Sequence, residues 1–277
     1  EHSRTIFPIR KVAFMRHVVI IFIALMSFIG CKSSQLAETN KETKETKPAV
    51  VVKPVTSAPV SFPEKGWLPQ YDTVVLGLVS RLPEFSKLPT ERMAPLCPKW
   101  KSLSQEKKVQ LWGDLIYTIA SAESSYNRLA MFSETGIKDS TGKQVIDSVT
   151  KLPIVSEGLM QLSYADMNSY PPNGITSCTF NWGKDRLAFE EDFKLFKQLK
   201  KVSVISKHPE RSILNPEIQM SCTVHIMRRL ITSEAIAKKY PDIRDALGRY
   251  WSTMRPKSVT YQTIVKPRLV KKAAYCF

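Results

Sequence analysis

Apolar residues recur at three- and four-residue intervals through much of the chain. Trp112, Leu115, Ile116, Ile119 and Ala120 fall on one helical face. Ser102 and Ser104, just ahead, each offer an N-capping hydroxyl. The spacing predicts a helix from there to about Ser124. The same reasoning predicts helices over residues 72–81, 159–167, 186–200, Pro216–Thr232 and 242–251. Asn215-Pro216 suits a helix start, because proline at the first helical position loses no hydrogen bond. Two-residue alternation is scarce, and only Val145-Ile146 and residues 152–155 suggest a small hairpin. The expected class is mainly α with a minor β element.

The N-terminal quarter has a different texture. Met15-Arg16-His17 precedes an apolar run from Val18 to Ile29, and Gly30-Cys31 follows. That run is short for a membrane span and fits the core of an export signal. Phe28-Ile29-Gly30-Cys31 resembles a bacterial lipobox, although leucine is usual where Phe28 stands. The resemblance implies cleavage before Cys31 and diacylglycerol on its sulfur, with the lipid as membrane anchor. Lys32 follows, where an inner-membrane retention signal would show Asp; this favours the periplasmic face of an outer membrane, or the cell surface. After Cys31 come Lys-Glu-Thr repeats and Pro48, Pro54, Pro59 and Pro63, a composition without a core-forming period. The expected organisation is a pre-sequence and signal over 1–30, a lipidated cysteine and disordered linker over 31–65, and one folded domain over 66–277.

Composition narrows the partner. The formal net charge of +16 calls for an anionic one. Nucleic acid is disfavoured, since the chain carries no helix-turn-helix or aromatic RNA-binding signature. Beyond Cys31 lie Cys97, Cys178, Cys222 and Cys276, none spaced as zinc ligands. No metal or cofactor is expected. In an oxidising compartment four cysteines read as two disulfides with three possible pairings. Cys178–Cys222 with Cys97–Cys276 is the preferred one, tying the chain end to the domain start.

Glu123 continues the apolar face of the long helix, four residues after Ile119 and three after Ala120. A carboxyl at the end of a buried stripe is partly desolvated, which disfavours its charged form. A glycosidase acid needs that property. The plain alternative is a helix-end glutamate that faces solvent or pairs with Arg128.

The neighbourhood alters that balance. Ala122-Glu123-Ser124-Ser125-Tyr126-Asn127 resembles the Glu-Ser-Ser-Phe-Asn signature of lytic transglycosylases with a lysozyme-like fold. Gly158-Leu159-Met160-Gln161-Leu162 is similar to that family's Gly-Leu-Met-Gln motif. Asn215-Pro216-Glu217-Ile218-Gln219 resembles the opening of its next core helix, and Tyr250 stands where its C-terminal active-site tyrosine is expected. The resemblance spans about residues 103–250. It implies a lysozyme-like α+β domain with Glu123 as acid and base. Ser124, Ser125 and Asn127 would shape the turn and cleft. Gly158 would let backbone approach a sugar, Met160 and Gln161 would line the cleft, and Tyr250 would reach toward Glu123. Three departures stand out. Residues 129–156 look inserted. Glu157 replaces a small residue. Tyr250-Trp251-Ser252-Thr253 replaces Tyr-Asn-Ala-Gly, leaving Trp251 to stack on a sugar or fill core.

The implied reaction is cleavage of the bond between N-acetylmuramic acid and N-acetylglucosamine in peptidoglycan, leaving 1,6-anhydro ends. A lysozyme that hydrolyses the same bond, in ordinary or de-N-acetylated glycan, is the alternative. It usually needs a second carboxylate, for which Glu134, Asp139, Asp147 and Glu157 are the candidates. A third reading is an inactive wall-binding lipoprotein. A monomer is expected in each case.

Overall fold

The computed structural model describes residues 62–172 and 174–277. Cys31, the expected export signal and most of the expected linker lie outside the described residues. Helices dominate, joined by one small antiparallel sheet, so the mainly α, α+β class expected from the sequence is observed. In chain order the elements begin with α1 (Pro69–Val79), α2 (Thr90–Met93), α3 (Gln105–Ser124), β1 (Ala130–Ser133), β2 (Val155–Glu157) and α4 (Asp166–Ser169). They continue with α5 (Trp182–Leu199), β3 (Ser203–Ile205), α6 (Pro216–Thr232), α7 (Glu234–Lys239), α8 (Ile243–Leu247) and α9 (Lys266–Lys272).

Local chemistry sets the two long central helices. The Ser104 hydroxyl caps α3 by accepting the Lys107 N–H. Asn215 caps α6 by accepting from Glu217 and Ile218, and Pro216 opens it. α1 packs on both α3 and α6. Trp112, Leu115, Ile116 and Ile119 of α3 and Met220, Val224, Ile226 and Met227 of α6 are completely buried. Each such side chain contributes about 1.5–3 kcal/mol by leaving water. The Trp112 indole N–H is buried with its partner, the Phe85 carbonyl, at 2.8 Å.

The sheet runs β2-β1-β3, both pairs antiparallel, with Met131 opposite Glu157 and Val204. Residues 129–156, read as an insertion, therefore supply the central strand. Between β1 and β2 the chain forms an arm closed by antiparallel bridges Lys138–Gln144 and Ile146–Pro153. Both expected disulfides are present, Cys97–Cys276 and Cys178–Cys222. The first joins the start of the domain to the chain end, where Tyr275 also donates to Asp114 of α3 at 2.7 Å.

One expected helix is absent. Residues 159–162 form a tight turn rather than a helix, and only Asp166–Ser169 is helical. Left-handed backbone at Gly158 and Gln161 (φ 75° and 51°) breaks any helix there. The helix expected over 242–251 shortens to Ile243–Leu247.

Candidate active site

Glu123 sits half-buried in the last turn of α3. The chain then reverses sharply. Ser125 and Tyr126 adopt left-handed φ values of 53° and 61°, and their N–H groups return to Ser121 and Ala120 carbonyls. Non-glycine residues held there store about 1–3 kcal/mol each unless the surroundings fix them. The surroundings do so. The Asn127 carboxamide oxygen accepts the Leu129 N–H at 2.9 Å, and the Asn127 N–H donates to Ser124. From outside, Gly66 donates to the Tyr126 carbonyl and Arg128 to that of Glu64, so residues 64–66 brace the turn. The Arg128 guanidinium reaches the Pro63 and Pro209 carbonyls.

A second turn faces this one. Glu157 and Leu162 exchange backbone hydrogen bonds and pinch residues 158–161 into a loop. Gln219 of α6 fills the space a Cβ on Gly158 would take, which is 1.6 Å from its amide nitrogen. That amide nitrogen donates to the Glu157 and Ile213 carbonyls, while its oxygen accepts the Met160 N–H. The two turns are joined directly, because the Ser124 hydroxyl lies 3.0 Å from the Leu159 carbonyl and 3.1 Å from that of Ala120.

The segment after α8 closes a third side. Thr253 donates to a Glu123 carboxylate oxygen at 2.6 Å. Trp251 is buried and donates to the Met160 carbonyl at 3.0 Å. Tyr250 donates to Asp166. Burial is the main force raising the Tyr250 phenol well above its ordinary pKa, with the charges of Asp166 and Glu123 adding to it. Asp166 is itself raised to about 6, chiefly by burial, against the lowering effect of Tyr250 and Ser163. Glu123, Ser124, Thr253, Tyr250 and the 158–161 turn thus converge.

Several expected roles need correction. Trp251 is core, and its indole serves the Met160 carbonyl rather than a sugar face. Met160 is likewise fully buried. The Gln161 amide donates to Gly158 and lies 3.4 Å from the Ala130 carbonyl, so it fastens its own loop. The space beside Gly158 that a side chain would take is occupied by Gln219.

The four acids proposed as second carboxylates differ sharply. Glu157 is completely buried and paired with Arg211, which also lies 3.2 Å from Asp192. Burial raises Glu157 to about 7, opposed by the attraction of Arg211. Asp147 is buried and spends its oxygens on the Val149, Thr150 and Ala165 N–H groups. Asp139, exposed, holds the tip of the arm through Thr141 and Lys143. Glu134 remains half-buried at the end of β1, accepting from Ser156 at 2.9 Å.

No family model matches the chain, and no curated protein matches it. Among solved structures it is similar to wild-type Bd0314 DslA, at 21% identity, and to two glutamate-to-glutamine variants of that protein, at 20% and 19%. Each alignment covers 72% of this chain and 87% of the other, with a TM-score of 0.47.

Three contributors were not read from the sequence. Thr253 gave no signal, since it stands where the Tyr-Asn-Ala-Gly pattern has glycine. Asp166, buried at the start of α4, belonged to no motif. Gln219 stood inside a recognised segment, yet only the fold shows its three bonds to the opposite turn. Among the described residues, no group of three potential ligands is arranged to hold a metal ion.

Proposed function

We propose that this chain cleaves the glycan strands of peptidoglycan at the muramic acid to glucosamine bond, with Glu123 as acid and then base. The observation that carries the reading is the setting of that carboxyl. It is half-buried at a helix end, held by Thr253, and joined through Ser124 to the Gly158–Gln161 turn.

In the first step the Glu123 proton passes to the bridging oxygen as the bond from muramic C1 to that oxygen breaks. Positive charge develops at C1 and the ring oxygen. Glu123, now a carboxylate, takes the proton of the muramic C6 hydroxyl as O6 bonds to C1. The product is a 1,6-anhydro end, and no water is consumed. One carboxyl serves both steps, in keeping with general acid–base logic. Thr253 fixes its rotation, a positioning role.

Hydrolysis is the second reading, and Glu134 favours it. Of the four candidate acids, Glu157 and Asp147 are enclosed in structural bonds and Asp139 is at the arm's tip. Glu134 alone among them is half-buried, just past the end of β1 opposite to Ala130, whose carbonyl accepts the Gly158 N–H. A water activated there would give a reducing end. Mass spectrometry of digested sacculi separates the two, because an anhydro end is lighter by one water. Anhydro products are expected; reducing ends alone would turn the assignment to the lysozyme reading.

The two disulfides support an exported protein. Among the described residues no helix is long and apolar enough to cross a membrane. Anchoring through Cys31 at a periplasm-facing or outer surface, with the linker as a leash, completes the proposal. The positive charge would draw the enzyme to carboxylates of the wall.

A further inference from the structure

A concavity of about 440 Å³ lies beside α6, lined by Pro171, Pro172, His225, Arg228, Arg229 and Thr232. Its chemistry is cationic at the rim and neutral at the floor. The floor is His225, whose Nε2 donates to the Pro171 carbonyl and whose Nδ1 meets the Thr176 hydroxyl, both at 2.9 Å. Burial lowers its pKa against the raising effect of the Pro171 bond, and the nearby arginines lower it further. Arg228 is half-buried and paired with Glu84. Arg229 is exposed and adds a further positive charge, its guanidinium 5.7 Å from the centre of the Tyr170 ring.

Aromatic side chains lead from the concavity toward the candidate active site. The Tyr170 ring lies edge-on to Tyr250, with centroids 6.0 Å apart, and Tyr250 lies within the electrostatic reach of Glu123. Tyr170 therefore links Arg229 to Tyr250, whose phenol feels the Glu123 charge. Glu84 offsets Arg228, so the rim suits a singly charged anion. Tyr170 holds one face of the Arg229 guanidinium, a planar group whose edge can grip a carboxylate with two parallel bonds.

We propose that this groove binds a carboxylate of the peptide stem that hangs from muramic acid, next to the glycan bond presented to Glu123. The inference rests on the proposed function, since it assumes a muramic acid in the cleft. It gives the enzyme a preference for peptide-bearing strands over bare glycan.

Two substrates test it: glycan strands with stems intact, and the same strands stripped by an amidase. Arg229→Glu is expected to raise KM for stem-bearing strands about tenfold while kcat changes less than twofold. On stripped strands it should match wild type, and Arg229→Lys should recover most of the affinity for stems. Equal loss on both substrates, or loss on neither, overturns the inference. Wild-type protein that cuts neither substrate would count against the parent reading instead. In that case, binding of a soluble disaccharide-tetrapeptide decides the groove: measurable binding by wild type, weakened about tenfold in Arg229→Glu, supports it. Equal binding by the two proteins, or none, overturns it.

Discussion

Thr253 and Glu123 are 130 residues apart in sequence, yet the threonine hydroxyl donates to the glutamate carboxylate at 2.6 Å. Removing it should free the carboxyl to rotate while leaving the surrounding core intact, because the side chain is only half-buried. Thr253→Val is expected to lower kcat on sacculi about tenfold, the equivalent of ~1.4 kcal/mol in the barrier. KM should change little, and Thr253→Ser should restore most of the rate. A matching fall in melting temperature with no recovery in the serine variant would assign Thr253 to stability alone.

Gly158 has φ +75°, and an added Cβ would fall 1.6 Å from the Gln219 amide nitrogen. An alanine there meets both backbone strain and the displacement of a buried side chain with three hydrogen bonds. Gly158→Ala is expected to cost about 3 kcal/mol or more in urea unfolding. A cost below about 0.5 kcal/mol would mean that Gln219 leaves its bonds freely.

Asp166 carries a pH signature. Its pKa is raised to about 6 in the folded protein, mainly by burial. A raised pKa means the folded state binds the proton more tightly, so this contribution is full below about pH 4 and lost as pH rises through about 6. Compared with Asp166→Asn, wild type should lose on the order of 2–3 kcal/mol of unfolding free energy between pH 4 and pH 7. Unfolding curves of both proteins at the two pH values check this. A difference that stays constant would show that Asp166 titrates as it does in the unfolded chain.

The Cys97–Cys276 bridge closes a loop with a sequence separation of 179. Restricting so long a loop in the unfolded chain stabilises by about 5 kcal/mol in the chain-entropy account. Cys97→Ser with Cys276→Ser should therefore lower stability by about that amount. Thermal unfolding under oxidising and reducing conditions gives the comparison, and identical curves for wild type under both would contradict it.

Much of the scaffold was legible because its signals are local. Ser104 caps α3 and Asn215-Pro216 opens α6, and both helices begin where these residues place them. The apolar face of α3 brings Glu123 to its half-buried helix end, and the cysteine pairing followed from the wish to close the domain. The losses are of another kind. Residues 159–167 keep a helical period, but Gly158 and Gln161 adopt left-handed backbone in a turn fastened by Gln219, about sixty residues on. Glu157 looked available to a substrate because its partner, Arg211, is a single basic residue in a loop with no pattern around it. Trp251 could have stacked on sugar or filled core, and only the position of the Met160 carbonyl decides for core. Long-range polar contacts of this sort leave no period in the chain.

The role of Glu123 is open to one direct measurement: release of soluble muropeptides from purified sacculi by wild type and by Glu123→Gln, read by mass spectrometry. The account predicts anhydro-ended products from wild type and a fall to background, by at least a thousandfold, in the folded variant, as expected for loss of an acid–base group with no substitute. The same products released at the wild-type rate by Glu123→Gln would contradict it.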